Sequence, residues 1–196
     1  MTVLTIPLFP LRTVLFPGGA LPLKVFEQRY MDMATACIRD DSPFGVCLIA
    51  SGQEVGAPAE PQPVGTLARI ARWGMEQLGV LQIVAHGAER FRVVGTHAEA
   101  SGLLLGEVEL LAPLRQERVA MDYDGLVTLL RAIIDDLGKD GPPPPYRYDD
   151  AGWVGYRFCE VLPIPNPARQ LLLELDDAAA VLGVIRKFLA QKNLVR

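Results

Sequence analysis

Side chains suited to covalent or metal chemistry are scarce in this chain of 196 residues, which has three serines, two histidines and three cysteines. Ser42, Ser51 and Ser101 each sit beside Gly or Pro in expected loops. None lies in a G-x-S-x-G elbow, the turn that presents a nucleophilic hydroxyl. His86 is expected in a strand and His97 in a loop, and nothing in their spacing marks a base. Triad geometry ignores chain order, so a peptidase or other hydrolase with a non-standard site stands as the weakest of the readings weighed below. Cys37, Cys47 and Cys159 form no C-x-x-C pair, and no run has the spacing of zinc ligands. They are expected to be reduced thiols partly in a core, and no metal or cofactor is expected. Gly138-Lys139-Asp140-Gly141 invites comparison with a phosphate-binding loop. However, Asp140 stands where the magnesium-binding Ser or Thr belongs, and Ile133 where the first glycine belongs. The acidic pairs Asp40-Asp41, Asp135-Asp136 and Asp176-Asp177 fall at expected helix ends, where capping or solvation is their ordinary role.

The elements that hold these residues change character half-way. Leu4, Ile6 and Leu8 alternate with Thr5, Pro7 and Phe9, which predicts a strand. Ala20–Val25 is a second, its Pro22 suiting an edge. Phe26, Tyr30, Met33 and Cys37 recur at helical spacing, predicting a short helix with Phe26 and Tyr30 in the core. Further strands are predicted at 44–50, 65–73, 78–94 (broken near His86-Gly87) and 103–111. A loop is expected over 51–63 and a hairpin connection over 74–79. Beyond Glu117 the period becomes helical. Val119, Tyr123, Leu126, Leu130, Ile133 and Leu137 form one stripe, and four consecutive prolines end it. Asp149 or Asp150, Asn166-Pro167, and Asp176 or Asp177 then open three more helices. Strands first and helices after predict an α+β chain, with a β-rich sub-domain over 1–114 and a helical sub-domain over 115–196. Hydrophobic residues make up 50% of the chain and the net charge is −4. That is ordinary globular composition, ill-suited to nucleic acid, whose phosphates demand basic side chains. Without a basic leader or an apolar run near the ~20 residues of a membrane span, a soluble, cytoplasmic protein with no membrane partner is expected.

Several short motifs, taken in order, say more. Pro7-Leu8-Phe9-Pro10-Leu11-Arg12, Leu15-Phe16-Pro17-Gly18, Leu21-Pro22-Leu23 and Phe26-Glu27-Gln28-Arg29-Tyr30 closely resemble the start of the Lon protease amino-terminal, substrate-binding domain. The likeness continues through Val64–Ile70, Val80–Gly87 and Arg90–Val93. It reaches Leu162-Pro163-Ile164 and Arg169-Gln170-Leu171-Leu172-Leu173-Glu174, and so spans nearly the whole chain. Gln28 departs from the proline common in F-E-P-R-Y, and Val181-Leu182 from the usual R-L pair. The loop at 138–143 also echoes the signature around the Lon nucleophile, but Pro143 replaces the serine. ATPase and Ser-Lys peptidase motifs are absent from the sequence, so a non-enzyme is expected. The resemblance implies a PUA-like pseudo-barrel with one short helix, then an α-helical bundle, together forming one LON amino-terminal domain.

It also implies a stand-alone, bacterial, non-catalytic module that binds unfolded or tagged polypeptide as a proteolysis adaptor or regulator, with a protease as a further partner. Glu27 and Arg29, polar residues opening the first helix, are the expected contacts, with Trp73 and Met75 at the Gly74 turn. An RNA-binding PUA-like protein is the alternative, for which Arg69, Arg72, Arg90 and Arg92 would supply a basic face.

Overall fold

The chain divides into two compact units, Met1–Ala112 and Pro113–Arg196, of which the computed structural model describes residues 3–194. The first holds β1 (Val3–Leu11), β2 (Ala20–Val25), α1 (Gln28–Asp40), β3 (Phe44–Ser51), β4 (Glu60–Gln77), β5 (Val80–Ala98) and β6 (Leu104–Leu110). The strand order is β2-β5-β4-β3-β1-β6, and β5 pairs with β6 as well. Five strands therefore close into a circuit, while β2 hangs on the first half of β5. Every pairing is antiparallel except β1 with β3.

The circuit is filled by Leu8 and Phe91, both fully buried, with Ile6, Leu67, Leu104 and Val108 around them. Gly65 is what lets Phe91 in, because a Cβ there would stand 2.6 Å from its ring and 2.5 Å from the Val46 carbonyl. A second cluster packs α1, through Tyr30, Met33, Ala34 and Cys37, against Phe9, Phe44, Val46 and Ile83. Phe9 and Tyr30 stack at 4.0 Å. The expected break at His86-Gly87 is instead a docking point within one long strand. Gly87 exchanges backbone bonds with Gly18 and Gly19, and a Cβ on it would stand 2.3 Å from the Phe16 carbonyl. β5 runs on past His97, which is strand rather than loop, and β4 runs to Gln77. The hairpin connection thus shrinks to Leu78-Gly79, with Gly79 at φ 81.

The second unit carries α2 (Asp124–Leu137), α3 (Ala151–Val161), α4 (Asn166–Glu174) and α5 (Ala178–Gln191), with a 3-10 turn at Met121–Tyr123. The predicted stripe starts too early. Val119 lies outside the helix, and Ile134 rather than Ile133 joins Leu126 and Leu130 in the core. Asp150 caps α3 through the Trp153 N–H, and Asp177 caps α5 through the Ala179 N–H. Pro165, not Asn166, holds the N-cap of α4, which puts Pro167 in its first turn. α3 is buried on every side from Ala151 to Cys159 and packs on α5, where Gly155 makes room for Val181. No helix among the described residues is long and apolar enough to cross a membrane.

Candidate functional site

β2 lies at the end of the strand order, so one of its edges meets no strand among the described residues. Its alternation sorts its side chains onto two faces. Leu21, Leu23 and Val25 lie opposite Ala85, Ile83 and Leu81 on the core side. Ala20, Pro22 and Lys24 lie opposite His86, Val84 and Gln82 on the outer side. Pro22 removes one N–H from the strand, which limits indiscriminate pairing at an open edge.

A groove opens on each face. The core-side groove, of about 250 Å³, is lined by Phe9, Leu11, Phe26, Tyr30 and Val55, with Glu27 and Glu54 among its polar groups. The outer groove, of about 670 Å³, is lined by Arg72, Trp73, Gly74, Gln82 and Val84. Pro22, Leu23 and Lys24 line both. Three large apolar side chains are left in solvent here: Phe26 (59% exposed), Val55 (55%) and Trp73 (62%). Apolar surface gathered around an unpaired edge makes this the candidate interaction surface.

The four expected contact residues separate. Glu27 occupies the N-cap position of α1 without capping it by its side chain. Its carboxylate accepts instead from Arg29 Nη2 at 3.0 Å and from the Gly56 N–H at 3.4 Å. Glu54 accepts from the Arg12 N–H, so these two carboxylates hold the 52–59 loop, and with it Val55, beside the core-side groove. Arg29 departs from expectation. It is buried, donates from Nη1 to the Gly102 carbonyl at 2.9 Å, and lies 4.6 Å from the centre of the Tyr30 ring. A guanidinium so committed braces the start of α1 and presents nothing to a ligand. Burial raises the pKa of the neighbouring Tyr30 phenol, against the opposing pull of Arg29. Trp73 lines the outer groove, whereas Met75 is exposed on the same hairpin but lines neither.

Of the arginines that the RNA-binding alternative needs, one is withdrawn from the surface and another is tied to a neighbouring carbonyl. Arg90 is buried and donates to the Ala112 carbonyl, and Arg69 donates to the Asp41 carbonyl at 2.7 Å. Phe26, Val55 and Lys24 are site residues that sequence reasoning missed. For Phe26 a signal existed, because a residue just before an N-cap need not follow the helix's buried stripe. The three cysteines are all buried, and burial pushes the Cys47 and Cys159 thiols up to about 12, far from nucleophilic.

The family model of the ATP-dependent protease La (LON) substrate-binding domain matches residues 5–191. The chain belongs to this family. Among its relatives, Lon protease 2 of Myxococcus xanthus is 38% identical over 196 residues, covering 96% of this chain and 24% of that protein. Protein cereblon of Danio rerio is 28% identical over 114 residues, covering 56% of this chain and 26% of that protein. The solved Lon N-terminal domain protein from Xanthomonas campestris superimposes with a TM-score of 0.79 at 34% identity, covering 94% of this chain and 98% of that one. The N terminal domain of Mycobacterium avium complex Lon protease gives 0.65 at 15% identity over 95% and 98% of the two chains, a likeness of fold alone. The LON domain described here thus spans about a quarter of the length of the curated relatives it matches. The part that matches is the substrate-binding domain, which is non-catalytic.

Proposed function

We propose that this LON domain binds unfolded or tagged polypeptide without cleaving it, and that β2 is the dock. The observation that carries this reading is the open edge of β2 with an apolar groove on each of its faces. An extended segment laid along that edge makes main-chain hydrogen bonds to it, and its alternate side chains reach the two faces in turn. Phe26 and Val55 receive one set and the outer groove the other. This backbone-directed mode tolerates many sequences, as a recogniser of unfolded chains requires. The closed strand circuit acts as a PUA-like pseudo-barrel that keeps the edge rigid. The 1–114 and 115–196 segments serve together as one LON amino-terminal domain. In this reading the protein is a cytoplasmic adaptor or regulator that hands polypeptide to a protease.

Titration of a fluorescently labelled, permanently unfolded polypeptide with the protein, followed by anisotropy, tests this. Saturable binding to the unfolded chain is expected, with none to its folded counterpart or to single-stranded RNA. Binding to RNA alone, or to the folded counterpart equally well, contradicts the reading.

A further inference from the structure

The outer groove differs from its neighbour in charge, and the difference points to a ligand chemistry. Lys24 lines both grooves, but the core-side groove also carries Glu27 and Glu54, both already engaged by backbone or guanidinium donors. Among the described residues, the charged side chains lining the outer groove are Lys24 and Arg72, both exposed, and neither forms an ion pair with another described side chain. Two such cations in one trough stand out in a chain whose net charge is −4.

The strand register fixes how the two are placed. Lys24 lies opposite Gln82, which lies opposite Gly74; one row away, Pro22, Val84 and Arg72 line up in the same manner. Directly paired residues and residues two apart share a face. Lys24 and Arg72 therefore stand on the same face, two strands and two residues apart. That is about 12 Å between their Cα atoms at ordinary strand spacing. Gly74 has no side chain, and a Cβ there would meet nothing within 4 Å. The trough is thus open at this end, with Val84 and Pro22 as its apolar floor. Both cations sit on long flexible stems, so a carboxylate resting above Val84 is within reach of the two together.

We infer that the outer groove selects extended polypeptide segments in which acidic side chains interrupt apolar ones, with Lys24 and Arg72 flanking the carboxylate. This inference rests on the polypeptide-binding reading above and adds the charge of the segment to it. Exposed ion pairs are individually weak, so the preference is modest and salt-dependent, suited to choosing among segments rather than holding one.

The test uses the full chain and three labelled unfolded polypeptides of identical apolar pattern, whose interrupting residues are Glu, Gln or Lys. The expected result is that the Glu series binds about five-fold more tightly than the Gln series at low salt, and the Lys series more weakly than both. The gap between the series closes as salt rises past the point where the Debye length falls below contact range. The K24Q/R72Q double variant brings the ratio of Glu-series to Gln-series affinity down to about one, the ratio being read whatever the two substitutions do to binding of the Gln series itself. K24E/R72E reverses it in favour of Lys, a gain that no general loss of folding produces. Equal binding of all three series overturns this inference and leaves the polypeptide-binding reading standing. A preference that survives K24Q/R72Q also overturns it. Binding of none of the three overturns both, and binding of polyuridylate in place of the Glu series assigns the cations to a nucleic acid.

Discussion

The two units differ in where their exposed apolar groups lie. The helical unit buries a full guanidinium: Arg157 has no exposed surface and donates to Glu160 at 2.8 Å, with Arg169 beside the same helix end through the Glu160 and Leu162 carbonyls. The β-rich unit also buries guanidinium groups, those of Arg29 and Arg90, but it gathers Phe26, Val55 and Trp73 in water around an unpaired strand edge. Burying a charge that must stay paired constrains an interior. Exposing apolar surface at a sheet edge invites a partner. On the proposed reading, recognition belongs to the β-rich region, and variants in each unit should separate binding from stability.

The largest effect belongs to the helical unit. Arg157→Ala removes the fully buried partner of a pair whose carboxylate is only part-buried, and its expected cost is about 3 kcal/mol, read as a fall in the urea midpoint. The deficit should be larger at pH 8 than at pH 5. Burial pushes the Glu160 carboxyl up to about 7, against the downward pull of Arg157 and Arg169, so at the lower pH the orphaned group is already neutral. The same shift makes the unmodified protein pH-dependent. The folded state holds the Glu160 proton more tightly than the unfolded chain does. Its contribution to stability is therefore complete below the ordinary glutamate range and is lost as pH rises through about 7. The loss is on the order of 3 kcal/mol, and Glu160→Gln should flatten that slope in denaturation curves recorded from pH 4 to 8.

The β-rich unit should respond in the opposite sense. Phe26→Ala is expected to weaken binding of unfolded polypeptide about ten-fold, with stability unchanged to within about 0.5 kcal/mol. A destabilised protein that binds normally would place Phe26 in the fold instead. The smallest effect concerns the thiols. Cys37 and Cys47 of one unit and Cys159 of the other are buried, with their pKa values raised. Native protein should leave a thiol reagent unreacted at pH 8, and the order in which the cysteines become labelled in rising urea reports which unit opens first.

Much of this frame was legible in the sequence where a local rule acts without competition. Ala20–Val25 was readable as an edge strand because alternation and Pro22 agree. Caps at Asp149 or Asp150 and at Asp176 or Asp177 were readable because an acidic side chain before an apolar period has few other uses, and the structure selects the second of each pair. Where long-range packing decides, local rules misled. Phe26 fits the spacing of α1 but precedes its N-cap, so its ring escapes the stripe that buries Tyr30. Arg29 resembles a surface residue until Gly102, 73 residues away, supplies a carbonyl for it. Trp73 was expected at a turn, yet β4 runs on to Gln77, so it stands within the strand and in solvent. Val55 and Lys24 gave no signal, because a loop residue and a lone lysine become a site only when β2 and β5 pair.

Amide hydrogen exchange of the full chain, with and without a saturating unfolded polypeptide, tests the central claim most directly. If β2 is the dock, protection should rise along Ala20–Val25 and at Trp73 and Val55, while α2 to α5 exchange as before. Protection confined to the helices, with the β2 edge unchanged, would contradict it.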